Sequence, residues 1–132
     1  MPVTRQGRGT PENSTSLTTM RYDGTMFMTE QLEACKNFFR DLLGEEPEMG
    51  AGWANFSLPD GTFIALHTPW RPGMTTTGGS QVLLLKVDSL ATEGARLTAL
   101  GIACSEPHEI PGGAVVTISD PDGRTIQLIQ RT

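Results

Sequence analysis

Pro59-Asp60-Gly61-Thr62-Phe63-Ile64-Ala65-Leu66 and Pro121-Asp122-Gly123-Arg124-Thr125-Ile126-Gln127-Leu128 are two copies of one pattern, P-D-G-x-x-I-x-L, in a chain of 132 residues. Pro-Asp-Gly makes a tight turn, because proline presets its own φ, aspartate bonds nearby backbone and glycine accepts a positive φ. The alternating apolar residues that follow read as the strand returning from that turn. An internal repeat decides architecture ahead of any local pattern, so the surroundings of the two copies should match as well.

Ahead of the first copy, residues 21–29 hold Tyr22, Met26, Phe27 and Met28 and read as a strand. Residues 31–43 put Leu32, Cys35, Phe38, Phe39, Leu42 and Leu43 on one helical face, and Gly44 supplies the stop. Residues 52–58 form a strand that the P-D-G turn joins to the next, 62–67. The second half repeats this order: a strand over 81–87, a helix marked by Leu90, Gly94, Leu97 and Leu100 and ended by Gly101, strands over 102–106 and 114–119, the turn, and a last strand over 125–129. Each half is a βαβββ module, with a short strand only faintly signalled around residues 45–49. The organisation expected is a tail over 1–19, rich in Thr, Ser, Gly, Pro and Arg, then one α+β domain over 20–132. Its modules span about 20–68 and 80–132, with a Pro, Gly and Thr-rich connector between them. A βαβββ sheet has its helix on one face and needs a partner on the other, so two modules are expected to combine around a shared concave cavity.

Composition narrows the partners. The net charge is −5, and the ten Lys and Arg are scattered without a basic stripe, which argues against nucleic acid. The acidic balance mildly favours a cationic ligand, although solubility alone accounts for it. No apolar run reaches the roughly 18 residues that span a membrane. Cys35 and Cys104 stand far apart in apolar stretches and suggest buried free thiols, not a disulfide framework or a zinc site. With no signal-peptide pattern at the start of the chain, the expected location is the cytoplasm.

Three segments together resemble the vicinal oxygen chelate superfamily, which includes glyoxalase I, extradiol dioxygenases, and fosfomycin and bleomycin resistance proteins. Phe38-Phe39-Arg40-Asp41-Leu42-Leu43-Gly44 resembles the family's F-Y-x-x-x-L-G, and Leu84-Leu85-Lys86-Val87-Asp88 its F-x-V-D-D. Asp120-Pro121-Asp122-Gly123 with Ile126-Gln127-Leu128 resembles its closing D-P-D-G-x-x-I-E-L. The resemblance covers roughly residues 20–130 and implies a glyoxalase/bleomycin-resistance-like domain. It also implies four metal-ligand positions, two per module. Carried over residue by residue, these fall on Gly24 (or Asp23, if the first strand slips by one), Ala65, Leu83 and Gln127. Gly, Ala and Leu offer a divalent cation nothing, and a neutral amide is a poor ligand. No metal and no cofactor are therefore expected.

Strand alternation then assigns the cavity lining. Ala65 and Gln127 bring Phe63, His67, Thr125 and Ile129. Leu83 brings Gln81 and Leu85, and Gly24 brings Tyr22, Met26 and Met28, with Trp53 and Asn55 on the neighbouring strand. The ligand-binding residues expected are Met26, Met28, Trp53, Phe63, His67, Trp70, Leu83 and Gln127, walls suited to a planar or greasy molecule. The competing reading is that these side chains collapse into core. His67 is either a general base or polar anchor, or an exposed strand end; His108 reads as a surface loop residue. Trp70 either closes over ligand or packs at a dimer interface.

The function these residues point to is a metal-independent small-molecule-binding protein of the bleomycin-resistance type, a homodimer sequestering an antibiotic or metabolite. One alternative is a metal-free lyase, isomerase or tailoring enzyme using His67, Asp23 or Glu30 as base. Another is a non-catalytic structural or regulatory module. A carboxylate bonded to a buried His67 would mark the enzyme, and an open apolar cleft the binding protein.

Overall fold

A computed structural model describes residues 19–74, 76 and 81–132, so most of the expected tail and part of the connector lie outside the described residues. The first module runs β1 (Gly24–Met28), α1 (Leu32–Leu43), β2 (Glu48–Gly50), β3 (Trp53–Ser57) and β4 (Phe63–His67). The second runs β5 (Val82–Lys86), α2 (Leu90–Ala99), β6 (His108–Ile110), β7 (Gly113–Ser119) and β8 (Thr125–Arg131). Each module makes a four-stranded sheet, in the orders β1-β4-β3-β2 and β5-β8-β7-β6. The first strand of each lies parallel to the last, and the other pairs are antiparallel.

The helices end where the local chemistry requires. Gly44 takes φ 71° and returns its N–H to Arg40, a stop that a side chain would strain. At the start of α2 the Ser89 hydroxyl accepts from the Thr92 N–H at 3.1 Å. Among the described residues, no helix is long and apolar enough to cross a membrane.

The strand registers make the duplication quantitative. Gly24 pairs with Phe63, and Val82 with Thr125. Thr29 donates to the His67 carbonyl as Val87 does to Ile129. Because Phe63 and Thr125 hold the same place in the repeated pattern, Val82 is the counterpart of Gly24, Leu84 of Met26, Leu85 of Phe27 and Glu93 of Cys35.

Two expectations about the second module need correction. Residues 102–106 form no strand: Ser105 donates once to the Thr117 carbonyl, but no ladder develops before Pro107, which has no N–H to give. Pairing starts at β6, which places His108 on an edge strand, exposed, and not in a loop.

The helix-facing sides of both sheets feed one core. Ile64, Leu66, Phe56, Ile126, Leu128, Val116 and Ile118 are buried with Cys35, Phe39 and Leu42 from α1 and Leu90 and Leu97 from α2. Phe39 anchors the first module's share, its ring 6.1 Å from Phe27 and 5.2 Å from Phe38.

Polar contacts fix the modules to each other. The second P-D-G turn docks on the first module through Arg124, which is buried between the carboxylates of Asp120 (2.5 Å) and Asp122 (3.2 Å). Its guanidinium lies 4.7 Å from the centre of the Phe27 ring and donates to the Met28 carbonyl. Asp122 also accepts from the Gln31 amide at 2.5 Å and the Cys35 thiol at 3.4 Å. Burial alone would raise Asp122, but bonds from Thr29, Gln31 and Cys35 and the charge of Arg124 together bring its carboxyl below the usual range. Burial pushes the Cys35 thiol up, so it stays a thiol. On the other flank Arg96 donates at 2.7 Å to the Asp41 and Leu42 carbonyls that end α1.

Removing one partner of a buried ion pair leaves the others uncompensated. Arg124→Ala should cost about 3 kcal/mol or more in urea unfolding. Acid tests the same junction. A carboxyl held below its unfolded value of 3.8 contributes stability above that pH and loses it as pH falls through the folded value. The stability difference between the parent and Asp122→Asn should therefore be flat from pH 5 to 7 and shrink below 3.8. A difference that stays constant through that range would remove Asp122 from the junction's energetics.

Candidate functional site

Each sheet has a face with no helix on it, and the registers say which side chains stand there. In the first sheet they form three rows across β1, β4 and β3: Gly24, Phe63 and Ser57; Met26, Ala65 and Asn55; Met28, His67 and Trp53. In the second, the rows across β5, β8 and β7 are Val82, Thr125 and Ser119; Leu84, Gln127 and Thr117; Lys86, Ile129 and Val115. Met26 is 47 % exposed and Leu84 57 %. Both sit on strands, β1 and β5, that among the described residues pair on one side only.

His67 is the polar centre of the first face. Its Nδ1 lies 2.6 Å from the Thr68 carbonyl, and since only an N–H can bond a carbonyl, the neutral ring carries its lone pair on Nε2. Trp70 stands edge-on to His67, ring centres 4.9 Å apart, and is itself 57 % exposed. Trp53 faces His67 across the ladder, its indole packed against Gly50 on β2. Among the described residues no Asp or Glu bonds the His67 ring.

The sequence-assigned residues divide into three groups. Met26, Met28, Trp53, Phe63 and His67 do share one face, with Trp70 at its end. Gln127 is on the open face of the other sheet, its amide 3.4 Å from the Thr117 hydroxyl, and no hydrogen bond joins it to the first group. Leu83 was assigned the wrong face. It pairs with Ile126 and packs on the core with Leu85, while Leu84 takes the open-face place beside Gln127. Continuous apolar residues over 82–85 hide the alternation. Transferring the register of the first half would have revealed it, since Gly24 corresponds to Val82 and not to Leu83.

These positions can be tested for metal. A Cβ added to Gly24 would meet three atoms of the Phe63 ring at 2.6 Å, so the aromatic ring occupies the volume that a ligand side chain would need. Ala65, Val82 and Leu84 have no donor, and Gln127 offers a neutral amide. Among the described residues, no group of three His, Cys, Asp or Glu could hold a metal ion. The residues present do not fit a divalent cation.

A second feature is concave. A cavity of about 1030 Å³ opens at the seam between modules, lined by the β3–β4 turn, the end of α1, β5 and the first turns of α2. Of the residues that strand alternation assigned to a cavity lining, Tyr22, Phe63, Leu83 and Leu85 reach it.

Neither a protein-family model nor a curated protein sequence matches the chain. Solved structures do. A glyoxalase/bleomycin resistance protein from Albidiferax ferrireducens superposes with a TM-score of 0.70 at 22% identity, covering 84% of this chain and 98% of its own. An antibiotic-binding protein from a Streptomyces species gives 0.66 at 26% identity, covering 89% and 100%. A lactoylglutathione lyase from Agrobacterium tumefaciens gives 0.66 at 22%, covering 83% and 92%. The paired βαβββ modules, the repeated P-D-G turns and these superpositions agree: the chain has the fold of the glyoxalase/bleomycin resistance/dioxygenase proteins, the vicinal oxygen chelate superfamily.

Proposed function

We propose that this protein binds a small organic molecule without a metal, sequestering it instead of transforming it. The carrying observation is the first sheet's open face, where Met28 and Trp53 flank one oriented imidazole, Met26 and Phe63 extend the apolar wall, and no second metal-binding His, Cys, Asp or Glu stands in the same rows. Thioether and aromatic surfaces bind planar apolar molecules by contact. The His67 Nε2 lone pair adds one acceptor to fix orientation. Trp70, exposed but leaning on His67, is placed to cover a ligand. The antibiotic-binding neighbour, at 26% identity over its full length, supports sequestration as the use of this scaffold.

The protein acts as a homodimer in this reading. Among the described residues β1 and β5 leave their outer edges unpaired and carry Met26, Val82 and Leu84 exposed, and exposed apolar edges favour pairing with another chain. Covering them joins an open face of one protomer to that of its partner, which encloses the site.

Thermal-shift screening of planar antibiotics and aromatic metabolites should yield a stabilising ligand, worth about 2.7 kcal/mol at a hundredfold excess over its dissociation constant. Trp70→Ala should weaken that shift, and purified protein should hold no stoichiometric Zn, Ni, Fe or Mn by elemental analysis. Stoichiometric metal whose removal abolishes binding would overturn the reading. Light scattering should give about twice the chain mass of 14.2 kDa, and Leu84→Glu should return the protein to one chain mass.

A further inference from the structure

The two modules offer equivalent grooves to each other's P-D-G turn, and only one is filled. Between β1 and α1 the second turn closes the groove: Arg124 lies over Phe27, and Asp122 meets Gln31 and Cys35. Between β5 and α2 the counterparts are Leu85 for Phe27, Ser89 for Gln31 and Glu93 for Cys35. The facing turn brings Leu58, Asp60 and Thr62 where the other brings Asp120, Asp122 and Arg124. Among the described residues no hydrogen bond or ion pair joins that turn to the second module, and the cavity of about 1030 Å³ lies between them.

The substitutions account for the opening. Thr62 lacks the reach and charge of Arg124. Asp60 cannot find a donor at Glu93 as Asp122 does at Cys35, because both groups that line the gap are carboxylates. Asp60 bonds the Thr62 hydroxyl instead, at 2.6 Å, and that bond with the Thr62 N–H keeps its carboxyl below the usual range.

We propose that this cavity, which shares Phe63, Leu84 and Lys86 with the open sheet faces and otherwise lies on the seam, is a second ligand site, and that it takes a cationic amphiphile: an amine or guanidinium on an apolar body. Such a molecule supplies from outside what Arg124 supplies within the equivalent groove. Leu42, Ile64, Leu85 and Leu128 give the body an apolar floor drawn from both modules. The carboxylates of Asp60, Asp88 and Glu93 line the cavity against two cations, Lys86 and Arg96. Arg96 is already engaged with Glu93 at 2.9 Å and with the α1 carbonyls, and Lys86 is exposed. The volume is at the upper end of the usual range for small-molecule pockets, roughly 300–1,000 Å³. The charge of the whole chain, −5, attracts the same ligands.

The test is an NMR titration of ¹⁵N-labelled protein with 2-naphthylmethylamine, 2-naphthylmethanol and 2-naphthoate. The amine should give saturable shifts at the amides of Leu85, Val87 and Thr92. It should bind roughly tenfold more tightly than the alcohol, and the carboxylate most weakly. Thr62→Arg, which restores the missing cation from within, should abolish amine binding with a dispersed spectrum retained; Leu85→Trp, which fills the floor, should do the same if that variant does not fold. Saturable binding unchanged in both variants, equal affinity for naphthoate, or no saturable shift at these amides sinks the proposal. Shifts confined to Trp53 or Gln127 would assign the amine to the sheet faces and also refute it. Failure here leaves the reading of those faces untouched, since none of their variants enters this test.

Discussion

Burial of the Arg124 guanidinium is the constraint on which the rest of this structure depends. A βαβββ module has one finished face and one unfinished one, and two modules can meet in many ways. Two carboxylates, a main-chain carbonyl and an aromatic ring around one cation leave very few. An ion pair of this kind adds little net stability over a well-packed apolar contact, but it tolerates hardly any misalignment, because a displaced guanidinium is a buried charge without partners. The pair therefore sets register between modules, while Phe39, Ile64, Leu97 and Ile126 supply the apolar burial.

That arrangement has an asymmetry built into it. Duplicated halves could have locked in duplicate, with an arginine in each turn. This chain has one, at the second turn, and Arg96 on the opposite flank holds only the end of α1. One seam is closed by the chain's own charge and the other opens into the cavity. The two sheet faces differ likewise: aromatic and sulfur-rich on the first, and aliphatic with Gln127 and Thr117 on the second.

Much of the fold was legible because the repeat is literal. P-D-G-x-x-I-x-L fixes turns, strand direction and the buried positions Ile64, Leu66, Ile126 and Leu128 without further information. The site was legible only where alternation is visible. On β1, Met26 and Met28 flank Phe27, and the fold shows that order in its faces. On β5, Val-Leu-Leu-Leu is apolar on both sides, since its edge position exposes one face while the core claims the other, and period-two reading fails by one residue at Leu83. The junction was illegible for a different reason. Asp120, Asp122 and Arg124 look like ordinary turn chemistry, and their partners Met28, Gln31 and Cys35 lie about ninety positions away. Residues 102–106 misled because Ile102 and Cys104 alternate inward as a strand would, yet Pro107 denies the ladder a donor.

The Phe63 ring over Gly24 bears on how this chain could change. A histidine introduced at position 24 would not meet an empty coordination corner; its Cβ would fall 2.6 Å from the Phe63 ring, which would have to move. Phe63 would have to turn away or shrink before a histidine could enter, and shrinking it alone bares a glycine in an edge strand. A route to a histidine at that position therefore gives up or reorients the apolar wall at Phe63. In that sense a single ring governs which side chains position 24 can accept.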